Sequence, residues 1–180
     1  MRSVLLRRIT LGTALMAGAA LCPTASGAQT VTGTVGSTIT LTAACQVNGS
    51  TATSGVNFGT LDFGSRSTLF NTATGVVDGN GAGAIAIQCT PGSGATLTVV
   101  GGAHDAAITG GNRALSNGTK FVPYDIYRDA GYANVLANGA TISVTTDGTV
   151  QTIPIYGRAV GTSALVAGTY TDTISLTLTF

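Results

Sequence analysis

The final segment of the sequence, Tyr170–Phe180, has the clearest alternation of apolar and polar side chains in the chain. Its apolar positions are Ile174, Leu176, Leu178 and Phe180, and the positions between them carry serine or threonine. A period of two predicts a β-strand with one apolar and one polar face. Because Phe180 is the last residue of the sequence, we expect the outer edge of this strand to need a partner from elsewhere.

A second alternating segment, Val31–Cys45, lies near the start of the chain. One face carries Val31, Gly33, Val35, Ile39, Leu41 and Cys45. At about 3.3 Å per residue this segment would form a strand of roughly 50 Å, which is too long for one sheet of a β-sandwich. We therefore predict two strands in succession. The second belongs to the domain, and the first is free to pair elsewhere.

Residues 1–28 have the features of a secretory signal peptide. Three arginines precede the apolar stretch Ile9–Leu21, and Ser26–Ala28 supplies small residues before a predicted cut ahead of Gln29. A lipoprotein anchor on Cys22 is disfavoured because the bulky Leu21 precedes it. A retained membrane helix is disfavoured because the apolar stretch is too short to span a bilayer. The sequence therefore predicts an exported protein.

The charge of the chain beyond residue 28 excludes some classes of partner. It has five basic residues and seven aspartates, for a net charge of −2. This balance offers no basic stripe for nucleic acid or an anionic membrane. Charged residues make up only 8% of the full sequence, which is few for a soluble monomer and favours a protein whose surface is buried in an assembly.

Two cysteines remain after the predicted cut, Cys45 and Cys89. An even pair in an exported chain predicts a disulfide, which would close a loop of about 44 residues. Two unpaired buried thiols are the weaker interpretation in an oxidising compartment.

Short alternating segments between turn signals predict an all-β sandwich without helices beyond residue 28. Asp147–Gly148 predicts a tight hairpin, and Asn138–Gly139 predicts another turn. The predicted strands lie in Val31–Val47, Val56–Phe63, Ala84–Cys89, Ala95–Val100, Phe121–Tyr127, Thr141–Thr145, Val150–Arg158 and Tyr170–Phe180.

The chain resembles the archaic, Csu-type chaperone–usher pilins, the family that carries the spore coat protein U domain. The stretches that carry the resemblance are Val31–Val35 continuing into Ala43–Cys45, Val56–Gly64, Tyr124–Asp129, Ile153–Gly157, and Ala167–Thr173 followed by Phe180. They occur in the family's order and extend over nearly all of the predicted mature chain.

This resemblance implies an incomplete immunoglobulin-like sandwich, residues 40–180, that lacks its final strand. Residues 29–39 would be a donor strand with Val31, Gly33, Val35 and Ile39 as its inward positions. Ile174, Leu176, Leu178 and Phe180 would form the acceptor groove. The expected partners are neighbouring pilin subunits, a periplasmic chaperone and an outer-membrane usher. The expected product is an extracellular pilus that supports surface attachment and biofilm formation, with no cofactor.

Two other functions stay open from the sequence. One is a spore-coat or cell-surface coat protein built on the same domain, and the other is a secreted, monomeric glycan-binding sandwich. An enzyme is disfavoured, because His104 is the sole histidine and is predicted to form a solvated loop pair with Asp105. The segment Gly79–Ala84 matches a dinucleotide fingerprint only loosely, because it precedes a strand and not a helix. No metal site is predicted, since one histidine and a bonded cysteine pair supply too few ligands.

Overall fold

A computed structural model describes residues 27–79, 81, 83–108 and 113–180. The predicted signal peptide lies outside the described residues except for its last two. The chain divides into a unit that ends at Ile39 and a unit that spans Thr40–Phe180. In the first unit the described residues form no strand, and the side chains of Val31 and Val35 are exposed.

The second unit consists of short strands joined by turns and loops. The strands are β1 (Cys45–Val47), β2 (Thr60–Leu61), β3 (Thr72–Asp78), β4 (Ile85–Cys89), β5 (Thr96–Gly102), β6 (Arg113–Ser116), β7 (Phe121–Tyr127), β8 (Thr141–Ser143), β9 (Val150–Ile153), β10 (Tyr156–Val160) and β11 (Ile174–Thr179).

These strands form three antiparallel sheets with the orders β1-β4-β9, β2-β3-β10-β7-β6 and β11-β5-β8. The described residues contain no helix, and hence none that could span a membrane. The prediction of an all-β, immunoglobulin-like sandwich is confirmed.

All three sheets contribute to one apolar core. Alternate side chains of β4, β5 and β7 point inward, as the period of two requires. The core includes Ile85 and Ile87 of β4, Leu97 and Val99 of β5, and Ile126 of β7, each of which is almost completely buried. The predicted disulfide is present, since Cys45 of β1 is bonded to Cys89 of β4.

Several strand predictions are wrong in their extent. In the segment Val31–Val47 only Cys45–Val47 forms a strand, and Leu41 is 82% exposed. The predicted strand Val150–Arg158 is two strands, β9 and β10, in different sheets. The break falls at Pro154, which has no backbone N–H to donate to a sheet. β3 and β6 are not among the strands predicted from the sequence.

The predicted hairpin at Asp147–Gly148 is also wrong. A turn is present, with Gly148 at a φ of 86° and the Asp147 carboxylate accepting the Thr149 N–H. The strands on its two sides do not pair with each other, however, because β8 pairs with β5 and β9 pairs with β4. The turn therefore carries the chain from one sheet to another. The turn predicted at Asn138–Gly139 is confirmed, since the Ala140 N–H donates to the Ala137 carbonyl.

A candidate binding groove between two strand edges

The second unit contains an open groove of about 980 Å³. β1 and β11 both line it. Within the described part of the chain, β1 pairs only with β4, and β11 pairs only with β5. Each strand therefore lies at the edge of its sheet. An open strand edge presents backbone N–H and C=O groups that an added strand could bond.

The two edges differ in length. β11 contributes Ile174–Thr179, whereas β1 has only three residues. The outward backbone groups of Val47 already bond those of Ser50. The longer open edge is therefore that of β11.

The four residues predicted as the acceptor surface lie together along the groove. Ile174, Leu176 and Leu178 are half-buried and pack against the core, and Phe180 is 49% exposed. Residues from other segments complete the apolar lining, namely Val56, Phe58, Leu61, Phe63, Val77, Leu115, Ile126 and Ile155. An apolar groove beside an unpaired strand edge is typical of a binding site for an extended peptide.

Two glycines make room for Leu61 and Phe63 on the face of the sheet. A Cβ added to Gly157 of β10 would lie 2.6 Å from Leu61 Cδ2 and 3.0 Å from Phe63 Cζ, and one added to Gly75 of β3 would clash with the Asp62 carbonyl oxygen. The absence of side chains at these positions lets the segment that contains Leu61 and Phe63 lie against the sheet. Both side chains are thereby held in the wall of the groove.

A buried polar cluster lies where the groove meets the start of β11. The Asp172 side chain is 1% exposed and lines the groove together with Tyr124. Asp172 Oδ1 accepts hydrogen bonds from the His104 backbone N–H at 3.2 Å and from His104 Nδ1 at 2.8 Å. Asp172 Oδ2 accepts one from the Tyr124 hydroxyl at 2.7 Å. Where Asp172 is ionised, its carboxylate only accepts hydrogen bonds, and this contact requires a proton on His104 Nδ1.

Burial raises the pKa of the Tyr124 hydroxyl far above its ordinary value, and the hydrogen bond to Asp172 raises it further. The hydroxyl is therefore protonated at every physiological pH and acts as a permanent donor to Asp172. Next to this pair, the completely buried Arg113 donates from Nη2 to Asn138 Oδ1, and Asn138 Nδ2 donates to Asp105 Oδ2.

The prediction of a solvated pair between His104 and Asp105 is wrong. The imidazole binds Asp172 instead, and the Asp105 carboxylate accepts from Asn138 and from the Gly102 N–H. The sequence could not reveal this partner, because Asp172 lies 68 residues further along the chain. The only local signal was a single aspartate at the start of an otherwise apolar and hydroxyl-bearing strand.

We expect Tyr124→Phe to destabilise the fold by about 1.5–3 kcal/mol, because a buried carboxylate loses a donor. Denaturant unfolding of the two proteins measures this difference. Tyr156→Phe is the matched control, because its side chain lies on the opposite face of the sheet from the core residues Gly157 and Ala159. If the two variants lose the same free energy of unfolding, the hydrogen bond from Tyr124 to Asp172 does not stabilise the fold as expected.

The predicted donor residues lie in the first unit, outside any strand. The side chains of Val31, Val35 and Ile39 are 98%, 96% and 81% exposed, and a Cβ on Gly33 would meet no other atom within 4 Å. Their role as donor residues remains a prediction. Among the residues that the structure describes, no group of three or more histidine, cysteine or acidic side chains could hold a metal ion.

The fold and the groove define a class, that of all-β domains with an unpaired edge beside an apolar cleft. The family model of the Spore Coat Protein U domain matches residues 31–177, so the chain belongs to that family. No curated protein matches the chain significantly.

Among solved structures, the chain is similar to one in the crystal structure of the CsuC–CsuE chaperone–tip adhesion subunit pre-assembly complex from the archaic chaperone–usher Csu pili of Acinetobacter baumannii. The identity is 20% and the TM-score is 0.47. The match covers 78% of this chain and 40% of the other, so the chain spans less than half the length of that relative.

Proposed function

We propose that the chain is a structural subunit of an extracellular pilus and that it polymerises by donor-strand exchange. The observation that carries the proposal is the apolar groove beside the unpaired edge of β11. A strand from another subunit would fill it, with residues 29–39 as the donor. Membership of the Spore Coat Protein U domain family is consistent with this role.

The energetics favour insertion of the donor segment. Val31, Val35 and Ile39 are almost fully exposed. Burying each of them would contribute about 1.5–3 kcal/mol. Each backbone hydrogen bond formed with the β11 edge would add about 0.5–1.5 kcal/mol. The contact between subunits would be strong because side-chain burial and backbone hydrogen bonds both contribute along the one inserted strand.

The geometry of donation favours a fibre over a closed oligomer. The donor segment and the acceptor groove are different surfaces of the same chain, so each subunit would fill the groove of one neighbour and accept the segment of another. Such a heterologous contact forms an open filament when the rotation between subunits does not close a ring. The low content of charged residues suits a protein surrounded by copies of itself.

Export and assembly require further partners. A periplasmic chaperone would cover the groove before assembly, and an outer-membrane usher would exchange it for the next subunit. The similar solved structure is a chaperone–subunit complex of such a system. The finished fibre would lie at the cell surface and support attachment and biofilm formation.

A coat protein is the second candidate, and the name of the matching family favours it. It would use the same groove but build a layer in place of a fibre. Electron microscopy of the assembled protein distinguishes the two products.

We expect that appending residues 29–40 to the C-terminus through a short flexible linker converts the chain into a stable monomer. The appended segment would fill the groove of its own chain, so no second subunit is needed. Size-exclusion chromatography and thermal unfolding compare this self-complemented chain with the parent.

A chain with an appended glycine–serine segment of the same length is the matched control. We expect it to aggregate or polymerise like the parent. The proposal fails if all three proteins are monomeric and melt cooperatively at the same temperature, as a monomeric glycan-binding sandwich would.

A further inference from the structure

The side chains of β11 and β5 do not by themselves select one register. β11 alternates apolar and hydroxyl side chains from Ile174 to Thr179, and β5 does the same from Thr96 to Val99. A shift of β11 by two residues along β5 again pairs apolar with apolar residues and hydroxyl with hydroxyl residues. It also keeps the apolar row on the inner face. Repetition of this kind leaves the register of a strand weakly specified.

The start of β11 has the weakest pairing. Ile174 and Ser175 lie opposite Gly102 and Gly101, which offer no side chain to pack against. A bulge separates these two pairs from the rest of the ladder, because Val100 of β5 is passed over between them. The side chains at this end of β5 therefore contribute nothing to the choice of register.

Asp172 breaks the repetition. Its side chain is 1% exposed. It forms hydrogen bonds with the Tyr124 hydroxyl of β7, and with the ring and the backbone N–H of His104 in the loop that follows β5. A Cβ on Gly102 would lie 2.7 Å from Asp172 Oδ2, so the glycine leaves space for the carboxyl group at this position. The carboxyl group is therefore held from two sheets at once.

A two-residue shift of β11 would separate Asp172 from these partners. Either Ile174 or Tyr170 would take its place beside the tyrosine hydroxyl of β7. Buried polar groups that lose their hydrogen-bond partners cost free energy. The backbone bonds that Thr171 exchanges with Ser116 can, in contrast, be remade by another residue, because they do not depend on the side chain. Asp172 is thus the feature that distinguishes the observed register from its neighbours.

We propose that Asp172 fixes the register of β11 on β5 and thereby sets where the acceptor edge lies along the groove. Asp172 is then a positioning residue, which acts through the strand that follows it. A buried polar residue that selects one of several similar registers is the best-attested role of such groups. The consequence for donor binding rests on the proposed donor-strand exchange, whereas the register itself is a property of the single chain.

Cysteine pairs within one chain report the register directly. Thr98 lies opposite Thr177. Thr98→Cys with Thr177→Cys should therefore form a disulfide, because directly opposed residues are within bonding range. Thr98→Cys with Ser175→Cys or with Thr179→Cys would report a shift of two residues and should form almost none. The full-length chain is oxidised at high dilution, and the bonded peptides are identified by mass spectrometry.

Removal of the polar contact should release the register. In a background of Asp172→Leu with Tyr124→Phe, which replaces both partners by apolar groups, we expect the shifted disulfides to increase at least about tenfold. Thr173→Leu with Tyr124→Phe is the matched control. It adds the same side chain one residue away and keeps Asp172, so its disulfide pattern should match the parent. A residue that only stabilised the fold would lower the free energy of unfolding and leave the pattern unchanged.

Moving the carboxyl group should move the strand. Asp172→Thr with Ile174→Asp presents the carboxyl group two residues further along the chain. It can reach the same partners only if β11 shifts by two residues. We therefore expect Thr98→Cys to bond Thr179→Cys in place of Thr177→Cys. If this variant keeps the original disulfide, or if neither background gives a shifted one, the inference is overturned.

Binding of a donor peptide separates this inference from the proposed function. In a Val35→Asp background, the chain with the disulfide at Thr98→Cys and Thr177→Cys should bind a synthetic peptide of residues 29–40 as well as the chain without it. With the shifted disulfide to Thr179→Cys, the affinity should fall about tenfold, which corresponds to one or two lost backbone hydrogen bonds. Equal affinity in the two disulfide-bonded forms would overturn the positioning of the acceptor edge. If no form binds the peptide, donor-strand exchange fails, and the disulfides still report the register.

Discussion

Val35→Asp is expected to abolish polymerisation of the chain. In the proposed joint, Val35 lies in the centre of the donor segment and faces the apolar groove. Burying an unpaired carboxylate there would cost several kcal/mol, and the burial of the valine would be lost as well. Electron microscopy and size-exclusion chromatography of the purified protein should detect no fibres.

Thr34→Asp is the matched control for this variant. It adds the same charge one residue away, on the opposite face of the strand, and should polymerise like the parent. The Val35→Asp subunit should keep its own groove, so it should still bind a synthetic peptide of residues 29–40 or a periplasmic chaperone. Loss of peptide binding would mean that Val35 belongs to the core of its own domain. Normal polymerisation of Val35→Asp would exclude it from the joint.

Removal of the disulfide has the second large expected effect. The bond joins Cys45 and Cys89, which are 44 residues apart. In the chain-entropy account, closing such a loop stabilises the folded state by about 3–4 kcal/mol. Denaturant unfolding of the self-complemented chain should therefore show a loss of this size when both cysteines are replaced by alanine.

The same replacement should also weaken the groove. Cys45 lines the groove from the short strand β1, and the disulfide ties that strand to β4. Without this bond, donor binding should weaken together with overall stability. Chemical reduction of the unmodified protein is the independent control. Unchanged unfolding after reduction would contradict the expected role of the disulfide.

The alternation of side chains predicted the strands that have one buried face. Phe121–Tyr127 is predicted with its observed bounds, and Ile85–Cys89 to within one residue. β3 was missed because two of its inward positions, Ala73 and Gly75, carry little or no apolar side chain, and because the apolar Val76 faces outward. Gly75 stands there because Asp62 lies against it, which is a tertiary contact that no local pattern encodes.

The groove was predictable along β11 but not at its polar end. The positions Ile174, Leu176, Leu178 and Phe180 follow from a period of two, and the structure places them along one cavity. The bonds that join Asp172 to His104 and Tyr124 connect residues from separate strands and loops. Such a network depends on how the sheets stack, and the sequence carries no local signal of that stacking.

If the chain assembles by donor-strand exchange, the unpaired edge of β11 ties the stability of one subunit to the concentration of the others. A donor that binds the folded groove but not the unfolded chain stabilises folding by mass action. Well above the dissociation constant, each tenfold rise in donor concentration then adds about 1.4 kcal/mol to the apparent free energy of unfolding. A dilute subunit and a subunit within a fibre would therefore melt at different temperatures although their sequences are identical.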